Sequence, residues 1–127
     1  MKLLMTCFVI VAASAFASHA IAQSDNRPCG PDSIVGPLRL LIPQGHSGAN
    51  FRPSCRYHDN CYSTPGADRY QCDLKWLNQM LAACNCSRRP RACQRGARIM
   101  YRFVRKYGQE AFDEAQRESQ PKQSSGN

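Results

Sequence analysis

Four features are scarce or absent in this 127-residue sequence: a long apolar run, strand-like alternation, internal repeats and acidic residues. The apolar stretch from Leu3 to about Ala17 falls short of the roughly 20 residues that a transmembrane helix needs. No segment shows the apolar alternation of a half-buried strand, and no internal repeat is present, which argues against a β-sheet protein and a repeat array. Acidic residues are few, with 9 Asp and Glu against 17 Lys and Arg, so the net charge of +8 favours anionic partners.

The first 22 residues are typical of a secretory signal peptide. Lys2 supplies the positive start, the apolar stretch follows it, and Ala20-Ile21-Ala22 is the small-x-small pattern that precedes cleavage. Cleavage after Ala20 is the alternative, because Ser18-His19-Ala20 also fits this pattern. We therefore expect residues 1–22 to be removed and the protein to be secreted, either to the extracellular space or to the periplasm.

Of the eight cysteines, Cys7 leaves with the signal peptide and seven remain. In a small exported domain, this density predicts a disulfide framework. The remaining cysteines are Cys29, Cys55, Cys61, Cys72, Cys84, Cys86 and Cys93. Because seven is odd, one cysteine is free or bonded to another molecule, or the disulfide framework is incomplete. We expect a monomer, with a disulfide-linked dimer through the odd cysteine left open.

Apolar residues at helical spacing predict an all-α domain over residues 23–117. Caps and breakers bound its helices, with Asn50, Asp68 and Gly108 as the expected ends. The helices are expected at residues 50–62, 68–84, 91–107 and 109–117. The segment 24–50, rich in Gly, Pro, Ser and Asn, is predicted to be loop with one short helical turn. Residues 118–127 lack apolar side chains and are predicted to form a disordered tail.

The segment Cys55-Arg56-Tyr57-His58-Asp59-Asn60-Cys61-Tyr62 concentrates reactive side chains within two helical turns. The short Thr-Pro-Gly turn after it predicts that the first two helices pack antiparallel, which makes Cys61 and Cys72 natural disulfide partners. That bridge places Asp73 against the first helix, where His58 is the available partner for its carboxylate. We therefore predict that Asp73 orients His58 and that the other ring nitrogen activates a water for attack on an ester carbonyl.

A hard cation is the predicted means of stabilising the oxyanion that this attack creates. Asp59, next to His58, provides a carboxylate for Ca²⁺, and backbone carbonyls complete the ligand shell. Gly30 lets the Cys29-Gly30-Pro31-Asp32 loop turn tightly enough to point carbonyls at an ion. A Cys29–Cys55 disulfide would bring this loop to the helix that carries His58.

The pattern Cys55-x-x-His58-Asp59-x-Cys61-Tyr62, followed by Cys72-Asp73, resembles the catalytic helices of secreted phospholipase A2 enzymes over residues 28–84. The resemblance implies a His58 general base, Asp73 as its orienting carboxylate and a Tyr62 that hydrogen-bonds Asp73. It implies a calcium loop as well. The implied metal ligands are the Asp59 carboxylate and the carbonyls of Pro28, Gly30 and Asp32.

The sequence departs from the family pattern at three places. Asp32 stands where many members have glycine, the segment from Cys29 to Cys55 is longer than in the animal enzymes, and Ser54 replaces the first cysteine of the doubled pair. Cys84 thereby lacks its familiar partner, and Cys93 can pair with either Cys84 or Cys86. The implied reaction is calcium-dependent hydrolysis of the sn-2 acyl ester of glycerophospholipids.

An anionic phospholipid surface is the expected partner, and no nucleic-acid partner is expected. The third helix is predicted to carry Ile99, Met100, Phe103 and Val104 on one side and a stripe of Arg95, Arg98, Arg102 and Arg105 on another. The stripe either meets anionic headgroups or is a solvated helix face. The lipid would be entered by Leu38, Leu40, Leu41 and Ile42 if these residues were exposed. Closure of the small core by the same residues is the favoured interpretation.

Two other functions fit parts of the sequence. Cys55-x-x-His58-x-x-Cys61 has the spacing of a zinc-ligand cluster, although exported thiols are expected to pair as disulfides. A non-catalytic, cationic, disulfide-rich domain that binds membranes or nucleic acid is the principal alternative. The presence of His58, Asp59 and Asp73 together favours catalysis over that alternative.

Overall fold

The computed structural model describes residues 27–31 and 36–121, and four α-helices account for most of this part of the chain. They are α1 (Arg52–Tyr62), α2 (Arg69–Cys84), α3 (Pro90–Tyr107) and α4 (Gln109–Ser119). The predicted all-α class is confirmed. The predicted signal peptide and residues 122–127 of the predicted tail lie outside the described residues. The tail prediction is wrong for Glu118 and Ser119, which continue α4.

The ends of the helices follow local chemistry. Asp68 caps α2 by accepting a 2.8 Å hydrogen bond from the backbone N–H of Gln71, as predicted. At α1 the cap position belongs to Phe51, and Asn50 assists from one residue earlier by accepting a 3.1 Å bond from the N–H of Arg52. Pro90 begins α3 because a first-turn proline lacks only an N–H that would be unpaired there.

The segment before α1 contains a 3₁₀-helix, Gly36–Leu41, and two short strands, β1 (Gly45–His46) and β2 (Ala49–Asn50). The strands are antiparallel, and Gly45 pairs with Asn50. Ser47 and Gly48 form the turn between them, with φ of 51° and 91°. Both residues adopt the left-handed backbone conformation, because only such a two-residue turn matches the twist of the paired strands. The sequence predicted the short helical turn but not this hairpin.

The described part of the chain contains three disulfides: Cys29–Cys55, Cys61–Cys72 and Cys84–Cys93. The first two are the predicted pairs, and the third resolves the open choice for Cys93. Cys86 keeps a free, exposed thiol. The third disulfide ties the end of α2 to the start of α3, and these two helices pack antiparallel. Several disulfides in one small domain indicate folding in an oxidising compartment, such as the extracellular space.

The core lies where α1, α2 and α3 meet, and half-cystines supply part of its apolar volume. Phe51 and Met80 are fully buried there, beside Trp76 and Ala97. The prediction that the leucines of residues 38–41 close the core is wrong, since Leu38, Leu40 and Leu41 are 64%, 65% and 75% exposed. Ile42, the fourth residue of the predicted group, does pack against the core. Within the described ranges, no helix is long and apolar enough to cross a membrane.

Candidate active site

α1 presents its reactive residues on two sides. Cys55, His58 and Tyr62 are buried, and their spacing of three and four residues puts them on the face that packs against α2. Asp59 lies beside them and is exposed. The reactive residues of this segment are therefore divided: the predicted base His58 and the phenol of Tyr62 point into the domain, whereas the carboxylate of Asp59 is exposed.

His58 and Asp73 form the predicted pair. The Nε2 atom of His58 lies 2.7 Å from Oδ1 of Asp73, and Tyr62 donates its hydroxyl to the same carboxylate oxygen over 2.6 Å. Asp73 is fully buried, whereas about 10% of the His58 side chain stays exposed. Because Asp73 occupies Nε2, Nδ1 is the ring nitrogen left to take a proton from water.

Arg105 is a site residue that sequence reasoning missed. Its Nη1 atom donates to Oδ2 of Asp73 over 2.7 Å, so its assignment to the outward arginine stripe is wrong. A second arginine, Arg69, places its Nε 3.9 Å from the same oxygen. The sequence did contain a signal for this arginine. A buried carboxylate requires a positive partner, and an antiparallel α2–α3 hairpin puts the end of α3, where Arg105 lies, beside the start of α2, where Asp73 lies.

These donors determine the ionisation of the site. Burial by itself would raise the pKa of Asp73, but hydrogen bonds from His58, Tyr62 and Arg105 outweigh burial and hold the pKa below its ordinary value. Burial, reinforced by the Asp73 carboxylate, raises the pKa of Tyr62 well above its usual range. Asp73 is therefore a carboxylate at neutral pH, and Tyr62 remains a phenol that can donate to it.

Aromatic rings fix the orientation of the histidine. Trp76 stacks on the His58 ring at a centroid distance of 4.7 Å, and Tyr62 contacts it at 4.1 Å. Phe112 of α4 packs edge-on against Tyr62 at 5.0 Å. In the same helix, Gln116 donates to the backbone carbonyl of Tyr62 over 2.6 Å. α4 thus supports the phenol that contacts Asp73, a role that the sequence did not indicate.

Arg69 links this site to the helix ends around it. Its Nη2 atom donates to the carbonyls of Val104 and Arg105 over 2.8 and 2.9 Å, and its Nη1 atom donates to Gln109. The carbonyls at the end of a helix lack intrahelical partners, so this guanidinium caps α3 where α4 begins. The same contacts hold Arg105 beside Asp73.

The predicted calcium loop is tethered to α1. The Cys29–Cys55 disulfide makes the link, and the buried side chain of Gln44 accepts from the Cys29 N–H and donates to the Cys29 carbonyl over 3.1 and 3.0 Å. Gly30 has a φ of 110°, and a Cβ at this position would collide with Ile42. The Cys29 carbonyl, which lies between the predicted ligands Pro28 and Gly30, is thus already engaged by Gln44. Asp32 lies outside the described residues.

The chemistry of this donor set fits Ca²⁺ better than zinc. Asp59 and the two loop carbonyls are hard oxygen donors, and backbone carbonyls are common in calcium sites. Cys55 and Cys61, the thiols of the zinc alternative, are both consumed in disulfides. Among residues 27–31 and 36–121, no group of three His, Cys, Asp or Glu side chains could hold a metal ion. A calcium ion at Asp59 would therefore depend on the loop carbonyls.

The arrangement contains a base, a buried anion that orients it and a phenol that stabilises the anion. Such a set can deprotonate a bound water and return the proton to a leaving group. Comparison with models of protein families, with curated proteins and with solved structures found no match to this chain. What the site can do therefore follows from its residues and their geometry.

Proposed function

We propose that this protein is a secreted, calcium-dependent phospholipase A2 that hydrolyses the sn-2 acyl ester of glycerophospholipids. The observation that carries this proposal is the hydrogen bond of 2.7 Å between His58 and the buried Asp73, to which Tyr62 also donates. The resemblance of residues 28–84 to the secreted phospholipase A2 family supports the choice of substrate. The disulfides and the predicted signal peptide support secretion.

The chain's own residues perform the proton transfers of this reaction. Nδ1 of His58 takes a proton from water as the water oxygen bonds to the ester carbonyl carbon, giving a tetrahedral oxyanion. When this species collapses, the bond to the glycerol oxygen breaks, and His58 returns the proton to that oxygen. The products are a fatty acid and a lysophospholipid. Asp73 stabilises the positive ring of His58 between the two transfers, and its bonds to Tyr62 and Arg105 keep it ionised.

The proposed calcium ion would be held by the Asp59 carboxylate and by the carbonyls of Pro28 and Gly30. When bound, it supplies the positive charge that stabilises the oxyanion, which is usually the largest single contribution to catalysis of this kind. The disulfide between Cys29 and Cys55 joins the two parts of this ligand set.

Fatty-acid release from vesicles tests the proposal. The mature protein is incubated with mixed anionic and zwitterionic vesicles, with calcium or with excess chelator, and the position of the released chain is determined. We expect sn-2 release that requires calcium, and a loss of about 10²-fold to 10⁴-fold in the His58→Asn variant, as for loss of a general base. His46→Asn is the matched control because His46 lies in β1 and hydrogen-bonds to Ser47. An active His58→Asn protein would overturn the assignment.

A second candidate function is a cationic, disulfide-rich domain that binds membranes or nucleic acid without catalysis. The observation that favours it is the row of exposed arginines on α3, which includes Arg95, Arg98 and Arg102. The same vesicle experiment separates the two functions. Binding without release in calcium, by protein shown to be oxidised and folded, would favour this candidate.

A further inference from the structure

The outward face of α3 carries a row of exposed apolar side chains. Ile99, Phe103 and Tyr107 are 64%, 63% and 58% exposed, and their spacing of four residues lines them up along the helix. The sequence pattern grouped Ile99 and Phe103 with Met100 and Val104 on one side of the helix, but only Met100 and Val104 of these four pack against the core. We call Ile99, Phe103 and Tyr107 the apolar ridge.

The disulfide at the start of α3 accounts for this orientation. Cys93 is buried, so the residues that share its side of the helix turn inward, namely Ala97, Met100 and Val104, at four, seven and eleven residues further on. Ile99 and Phe103 follow Cys93 by six and ten residues, which puts them about 120° and about 80° around the helix from it, on a flank that the core leaves exposed. The disulfide thus helps to set which side of α3 turns inward, and the ridge lies on the flank that remains exposed.

A row of positive charges borders the apolar ridge. Arg95, Arg98 and Arg102 are exposed on the same helix, and Lys106 lies over the Tyr107 ring at 5.0 Å. Phe103 and Tyr107 contact each other at a centroid distance of 4.8 Å, which makes the end of the ridge a paired aromatic surface. Apolar and basic side chains thus share one exposed helix face.

We propose that this face, the apolar ridge with Arg95, Arg98, Arg102 and Lys106, is a docking surface for anionic phospholipid bilayers. A helix that lies in a membrane interface needs apolar residues that enter the acyl boundary and basic residues that meet anionic headgroups, and α3 has both. Nucleic acid would account for the arginines but not for the exposed aliphatic Ile99. A second copy of this chain would oppose like charges across the contact.

The proposal deepens the proposed function, because a phospholipase must reach its substrate at a lipid surface. It also connects docking to the site: Arg105 of the same helix turns inward and donates to Asp73. One helix thus presents its outer face to lipid and its inner face to the His58–Asp73 pair. Binding can be measured without hydrolysis, so the two proposals can fail separately.

The test is vesicle flotation in chelator at about 100 mM salt, where screening weakens but does not remove surface attraction. Wild-type protein is expected to float with vesicles that contain phosphatidylglycerol and much less with pure phosphatidylcholine vesicles. Arg98→Gln with Arg102→Gln should lower partitioning about 25-fold, at about 5-fold for each base near the surface. The charge-matched control is Lys75→Gln with Arg117→Gln, which changes exposed bases on other helices and should have less than about a 3-fold effect.

The apolar contribution is tested by Ile99→Gln with Phe103→Gln, for which we expect a loss of about 10-fold or more. The comparison variant is Leu38→Gln with Leu40→Gln, since these similarly exposed leucines of the 3₁₀-helix form the other apolar group available to lipid. Near-UV circular dichroism confirms that each variant is folded. The proposal would be overturned if the α3 variants bound vesicles as well as wild type does, or if only the leucine variant lost binding. Binding to duplex DNA in place of vesicles would overturn it as well. Vesicle binding without fatty-acid release in calcium would retain the docking surface and reject the phospholipase.

Discussion

Replacement of Arg105 by glutamine tests how the buried Asp73 is stabilised. Asp73 is fully buried and accepts hydrogen bonds from His58, Tyr62 and Arg105, of which only Arg105 is permanently charged. The substitution leaves the carboxylate in place and removes the guanidinium that is 2.7 Å from Oδ2. It therefore removes one partner of a largely buried ion pair, which is the kind of change that destabilises most.

The expected magnitude follows from the geometry. Loss of one partner from a fully buried pair costs about 3–5 kcal/mol, and a hydrogen bond to a charged group contributes about 1.5–3 kcal/mol. The Arg105 side chain is 32% exposed, so water can replace part of its interaction, and two other donors remain on Asp73. We therefore expect a decrease of about 2 kcal/mol in the free energy of unfolding, which for a domain of this size lowers the urea midpoint by about 1–2 M.

The effect should also depend on pH. The pKa of Asp73 in the folded protein lies below its ordinary value of 3.8, so the unfolded chain takes up this proton first as the pH falls. The stabilisation is complete above about pH 3.8 and is lost as the pH falls through the folded-state pKa. The difference between wild type and Arg105→Gln should therefore be largest at pH 7 and should shrink below about pH 4.

Urea unfolding with intact disulfides, followed by near-UV circular dichroism at several pH values, measures this difference. Arg102→Gln is the matched control, because Arg102 is exposed on the same helix and its loss should change stability by less than about 0.5 kcal/mol. Arg105→Lys should recover part of the loss. If Arg105→Gln is as stable as Arg102→Gln, or if its deficit is the same at pH 7 and pH 3, the argument for the Arg105–Asp73 pair is refuted.

Three further predictions concern the proposed calcium site, the loop that carries it and the free thiol. Asp59→Asn should abolish calcium-dependent fatty-acid release, and full activity in chelator would contradict this role. Gly30→Ala should lower the free energy of unfolding by about 1–3 kcal/mol, because the alanine would need a φ of 110° and its Cβ would collide with Ile42. Gly66→Ala should lower it by only about 1 kcal/mol, since its φ is 74° and its Cβ has no neighbour within 4 Å. Equal unfolding midpoints for the two variants would argue against the collision. Iodoacetamide should label one thiol, Cys86, in the native mature protein, and mass spectrometry that finds none would indicate a mixed or intermolecular disulfide.

Much of this molecule could be predicted from its sequence because the decisive interactions are short in range. The cap at Asp68 bonds Gln71 three residues away, and the turn that brings Cys61 to Cys72 spans about ten residues. Helical spacing puts Cys55, His58 and Tyr62 on one face, and the disulfide then sets Asp73 opposite that face. For this reason His58, Tyr62 and Asp73 lie together in the structure.

The sequence by itself determined the helical class, the approximate ends of the helices, two disulfide pairs and the meeting of His58 with Asp73. Only the tertiary structure decided that Arg105 serves Asp73, which is 32 residues away, and that Ile99 and Phe103 face outward. A helical pattern identifies which residues share a side of a helix, but a helix with apolar residues on two sides can be rotated either way. The Cys84–Cys93 bond and the need to compensate a buried carboxylate set that rotation, and both depend on which elements become neighbours when the chain folds.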